Sequence, residues 1–177
     1  MLAVLLTTIT AAVVIAAAYT DLRWGKVFNA LTVPCMALGL ALNGFGRGAE
    51  GLAQSALGLG LGLALWMLSR PLGRVLGGGD VKLLMAVGAL QGPRVLIVAL
   101  LGAILVGGAM ALGRAGRHGL LRASCSRLYH YAWRRALLGE KGDLSPTSEQ
   151  TRLPFAAAIA VGALVALALP YLRAALL

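Results

Sequence analysis

The chain has 177 residues, of which 59% are hydrophobic and only 12% charged, with a formal net charge of +10 and a mean hydropathy of +0.85. A soluble domain of this length carries about 25% charged residues, so the composition excludes an ordinary water-soluble fold and leaves a polytopic membrane protein. The positive-inside bias of membrane loops accounts for the excess of basic residues without nucleic acid as a partner.

The first apolar window covers 2–20. It has neither the basic start nor the small-residue cleavage site of a signal peptide, so it reads as a retained span. Further spans are predicted at 30–45, 52–69, 79–91, 95–112 and 155–172. The apolar part of the fourth runs only from Val81 to Leu90. To cross ~30 Å of hydrocarbon at ~1.5 Å per residue it must borrow Gly79, Asp80 and Gln91 from its flanks. Pro93 separates it from the fifth span. The repeat "GLGLGLAL" at 58–65 is read as close helix packing through small residues rather than as a nucleotide loop. The expected fold is therefore all-α: a single membrane-embedded domain, 1–177, of six transmembrane helices.

Charge sets the orientation. With the N-terminus on the outer, periplasmic side, the inner loops hold every Lys and Arg except Arg47, Arg94 and Arg173. Both termini then face outward, and 113–153 becomes one long cytoplasmic loop. Its first half, "LLRASCSRLYHYAWRRALL" (120–138), spaces Leu121, Cys125, Leu128, Ala132 and Ala136 helically among arginines and aromatics. Two readings stand: an amphipathic helix on an anionic lipid surface, or a basic topology anchor. The second half, "GEKGDLSPTSEQTRLP" (139–154), is polar and turn-rich, the pattern of a linker. His118 and His130 lack metal-ligand spacing, and Cys35 and Cys125 form no CxxC pair, so neither a metal site nor a disulfide framework is expected.

Only six acidic residues occur, and Glu50, Glu140, Asp143 and Glu149 fall in turn or linker sequence. Asp21 closes the first span and Asp80 opens the fourth. The arginine-derived topology puts both at the same inner face. Two carboxylates at one depth suit aspartyl protease chemistry: one, ionised, activates water while the other, protonated, polarises the scissile carbonyl. The glycines of "GGGDVKLL" (77–84) would let a substrate strand approach closely or form a hinge. The plainer alternative makes Asp80 a helix cap and pairs Asp21 with Arg23 or Lys26.

"GGGD" at 77–80 resembles the GxGD signature of membrane aspartyl proteases, and "GGGDVKLL" resembles its version in type IV prepilin peptidases. "TDLRWGKVFN" (20–29) resembles that family's first aspartate motif, with Phe28 in place of the usual proline. "RLPFAAAIAVG" (152–162) resembles its Pro-aromatic final-helix motif. The resemblance implies a bacterial inner-membrane, multi-pass aspartyl endopeptidase that removes the short basic leader of prepilins or pseudopilins at the cytoplasmic face. Asp21 and Asp80 would be its catalytic pair, with no metal or other cofactor. Gly77, Gly79, Lys82, Asn29 and Pro154 would shape the site, Lys82 as a structural or substrate-orienting residue. Partners would be the pilin substrate and anionic lipid, not nucleic acid. No cysteine-rich domain is present, so the resemblance is to the short branch without N-methyltransferase activity, as in tight-adherence (Flp) pilus systems. A small proton-coupled transporter would want an acid at the bilayer midplane, where none is predicted. A non-catalytic scaffold of a secretion assembly is the other alternative.

Overall fold

The structure, a computed structural model, describes residues 1–69, 77–117 and 155–176, and every described element is a helix. In chain order these are α1 (Leu2–Trp24), α2 (Asn29–Ser69), α3 (Gly78–Gln91), α4 (Pro93–Arg117) and α5 (Phe155–Leu176). Residues 1–106 and 155–176 make one compact unit; residues 107–117 carry α4 into a second. The 120–138 stretch, the 139–154 stretch and Pro154 lie outside the described residues.

α1, α2 and α4 are long and apolar enough to cross a bilayer. Their outward faces carry large apolar side chains, among them Ile15, Leu57, Leu101 and Leu105, the last 74% exposed. Faces this apolar are suited to lipid rather than water.

Where the sequence predicted two spans and an intervening turn at 44–51, the backbone stays helical through 41 residues apart from Gly48, at φ 64° and ψ −149°. A straight helix of that length would run about 60 Å, twice the hydrocarbon thickness. Gly48 instead folds it back. Asn43 and Ser55 would stand about 18 Å apart on a straight helix, yet both donate hydrogen bonds to the carbonyl of Ala89. The positive φ, which a residue with a Cβ adopts only with strain, is what permits the reversal. The two arms of α2 thus occupy the places of the second and third predicted spans.

α3 is the central element and packs against α1, α2 and α5. Val81, Leu83, Leu84 and every residue from Ala86 to Leu90 are buried, as befits a helix apolar on all sides. Gly58 and Gly88 meet backbone to backbone, so that a Cβ on either would run into the other's carbonyl. This is the close packing expected of the 58–65 repeat.

α3 is short, and Ala89 and Leu90, which carry two of its last carbonyls, are buried. Side chains serve these carbonyls. Asn43 Nδ2 donates to the carbonyls of Ala89 and Leu90, each at 3.2 Å, and Ser55 Oγ adds a second bond to Ala89. Gln91 Nε2 donates to Thr10 Oγ1 at 2.9 Å. This bond joins the first half of α1 to the last turn of α3 and sets their register. Asp21 lies as far along α1 from Thr10 as Asp80 lies along α3 from Gln91, about 16 Å in each helix. The two helices run antiparallel, so the aspartates come level at the other end.

Candidate active site

α1 stops just past Asp21. The Asp21 carbonyl accepts the N–H of Gly25 at 2.8 Å, and Gly25 takes the left-handed conformation that ends the helix. Lys26, Val27 and Phe28 cross to α2, whose first turn closes on the Phe28 carbonyl through the N–H groups of Leu31 and Thr32. On the facing side Gly77 is extended, α3 begins at Gly78, and Asp80 sits in its first turn. Asp21, Gly25–Asn29 and Gly77–Asp80 together line one open cleft of about 390 Å³.

Both carboxylates are half-buried and each takes a backbone donor. Asp21 Oδ2 accepts the N–H of Ala156 at 3.2 Å, in the first turn of α5, where helix N–H groups have no partner within the helix. Asp80 accepts the N–H of Gly77. Asp80 lies outside the apolar stretch that begins at Val81. Its pKa is pushed from the ordinary 3.8 to about 6, first by burial and then by the negative charge of Asp21, against the opposing pull of the Gly77 N–H. The two carboxyls are thus within electrostatic reach of each other. Among the described residues no third His, Cys, Asp or Glu joins them in a group able to hold a metal.

Of the remaining sequence-predicted residues, Gly77, Gly79 and Asn29 line the cleft, Lys82 does not, and Pro154 lies outside the described residues. A Cβ on Gly77 would stand 2.8 Å from Asp80 Oδ2, so a side chain there would press on the carboxylate. A Cβ on Gly79 would come 3.1 Å from Val27, across the cleft floor. Asn29 lines the cleft as the first residue of α2. Lys82 is not among the lining residues, but its Nζ donates to Asn29 Oδ1 at 2.8 Å and so ties α3 to the start of α2.

A family model for the type IV leader peptidase family matches residues 8–112, more than half of the sequence and both aspartates. The chain belongs to the type IV leader peptidase family. No curated protein and no solved structure gives a significant match. The matched segment holds α1 to α3 and most of α4, whereas the Ala156 N–H that contacts Asp21 comes from α5, beyond the match.

Two features had no forerunner in the sequence reading. One is the contact from α5 to Asp21. The Pro-aromatic motif marks where α5 starts but carries nothing about which side chain its free N–H groups meet. The other is an aromatic edge beside the cleft. Trp24 packs edge-on against Tyr19 at 5.9 Å and against Phe28 at 6.0 Å, with Arg23 above the Trp24 ring. Phe28, standing where proline is usual, thereby joins the cleft lining to this exposed cluster.

Proposed function

We propose that this leader peptidase is a membrane aspartyl endopeptidase that removes the short basic leader of prepilins or pseudopilins at the cytoplasmic face of the bacterial inner membrane, with Asp21 and Asp80 as its catalytic pair. One observation carries the reading: two half-buried carboxylates from the ends of different helices share one open cleft and interact electrostatically there. The orientation with both termini outside, six crossings and 113–153 in the cytoplasm belongs to the same reading. It is supported by the distribution of arginines.

In the reaction a water lies between the carboxyls. Asp21, the acceptor of the Ala156 N–H, takes a proton from the water as its oxygen attacks the scissile carbonyl carbon. Asp80 gives its proton to the carbonyl oxygen. As the tetrahedral intermediate collapses, the C–N bond breaks and the amine leaves with the proton from Asp21. The hydroxyl proton then returns to Asp80. Substrate filling the cleft removes further water and so strengthens the proton's hold on Asp80. The chain resembles the short branch, without the cysteine-rich domain, that cleaves without methylating the new N-terminus.

The test is co-expression with a candidate prepilin, following leader loss by gel shift. The parent processes the substrate, and Asp21→Asn and Asp80→Asn do not. Full processing by either variant overturns the assignment.

A further inference from the structure

Lys82 faces Asn29 rather than either aspartate, and the chemistry of that bond fixes what Asn29 can do. An ammonium group only donates, so the Asn29 atom 2.8 Å from Lys82 Nζ must be the amide oxygen. The Asn29 amide nitrogen is then turned away from Lys82, and neither of its N–H donors has a partner among the described residues. Asn29 lines the cleft, is exposed, and is anchored as the first residue of α2.

A peptide strand drawn into this cleft brings carbonyls that have lost water and need donors. The two carboxylates can serve as acceptors to the strand, and of the described side chains lining the cleft only Lys26 and Asn29 carry N–H donors. Lys26 is exposed with no described tether, whereas the Asn29 amide is held at its oxygen end. The charge-assisted bond also draws electron density toward the oxygen, which strengthens the amide N–H as a donor.

We propose that Asn29 donates a hydrogen bond to a backbone carbonyl of the bound substrate strand, and that Lys82 is the positioning residue that holds the Asn29 amide in the donating orientation. This rests on the peptidase reading above. Asn29 contacts the substrate; Lys82 acts through Asn29.

The experiment uses full-length protein in nanodiscs and a synthetic prepilin leader peptide carrying a fluorescent reporter. It measures kcat, KM, the pH profile and the melting temperature of each variant. Asn29→Ala lowers kcat/KM about 10- to 100-fold, the effect of losing one preorganised donor. Lys82→Met lowers it about 10-fold because the amide is free to turn, and Lys82→Arg, which can still donate to the oxygen, recovers most of the activity. In the Asn29→Ala background Lys82→Met costs nothing further, since its effect runs through the missing amide. The pH profile of Lys82→Met keeps the parent's shape. Asn29→Ser, which can start a helix but is too short to reach, repeats the Asn29→Ala result if the alanine variant folds poorly.

Multiplying losses in the double variant would overturn the proposal. So would a pH profile that moves in Lys82→Met, because Lys82 would then act on the aspartates by charge. Parent activity in both Asn29 variants would do the same. A parent that does not cleave the peptide, or an active Asp21→Asn, instead overturns the peptidase reading itself and this proposal with it.

Discussion

Both ends of α3 are ringed by polar side chains from neighbouring helices, yet the two rings are built for opposite purposes. At the Gln91 end Asn43, Ser55, Gln91 and Thr10 make a closed set: the Asn43 amide and the Ser55 hydroxyl serve the last carbonyls of α3, and Gln91 reaches Thr10. Asn43, Ser55 and Thr10 are buried. At the Asp80 end Asp21 and Asp80 hold one backbone donor apiece, leave most of their lone pairs without a partner among the described residues, and face an open cleft. A buried polar group without a partner is costly, so the closed ring reads as support and the open one as a place where something else is meant to bind. The Thr10–Gln91 bond links the two, since it sets the register that brings the aspartates level.

The largest effect expected from breaking this contrast is at the open end. Asp21→Asn or Asp80→Asn lowers leader cleavage by about 10²–10⁴-fold, the range for losing a positioned acid or base, as read by single-turnover cleavage in nanodiscs. Gly77→Ala comes next. Gly77 has φ −63° and ψ 145°, which alanine adopts freely, so the change acts through the Cβ that would stand 2.8 Å from Asp80 Oδ2. Displacing that carboxylate lowers kcat by about 10- to 100-fold, with the melting temperature within about 2 °C of the parent.

At the closed end the pattern inverts. Asn43→Leu strips Leu90 of its side-chain donor and leaves Ala89 with Ser55 alone. Stability falls by about 1–3 kcal/mol in denaturant unfolding, while kcat at a permissive temperature stays within about two-fold.

A smaller, pH-dependent effect separates the two ends again. The folded protein holds the Asp80 proton more tightly than the unfolded chain does, with a pKa raised from 3.8 to about 6. Between those values the native state binds more protons, so stability falls as pH rises from about 4 to about 6, and the full penalty persists above. Asp80→Asn removes that penalty. Its melting temperature relative to the parent therefore rises across this window and then levels off, and a difference that stays flat with pH would contradict the account. The smallest effect belongs to neither end. Thr32 is fully buried, and its hydroxyl has no partner among the described residues. Thr32→Val is thus neutral or stabilising by up to about 1 kcal/mol, measured by thermal unfolding.

Much of this was legible in the chain. The described helices follow the predicted spans in order, because runs of apolar residues and helix-ending Gly and Pro are local signals. The reversal in α2 was predicted as a turn over 44–51, but one glycine, Gly48, carries it while the helix continues on both sides. Asp21 and Asp80 were placed at one face by counting arginines, and both line the cleft. The link between Lys82 and Asn29 was not legible. The resemblance made Lys82 a structural or substrate-orienting residue without naming its partner, which is a residue more than fifty positions away in sequence.

What the sequence alone determined, then, is one-dimensional: which segments are helical, and where along each helix axis its charged residues lie. Apolar periodicity and loop charge act within a segment, and they speak only of that axis. Tertiary structure decided everything lateral. It set which helix stands beside which, that the N-terminus of α5 meets Asp21, that Asn43 and Ser55 close the end of α3, and that Lys82 turns the Asn29 amide. Those partners are chosen by packing between residues far apart in the chain, where small side chains such as Gly58 and Gly88 let backbones meet and the buried polar groups then find whatever donor or acceptor lies within reach.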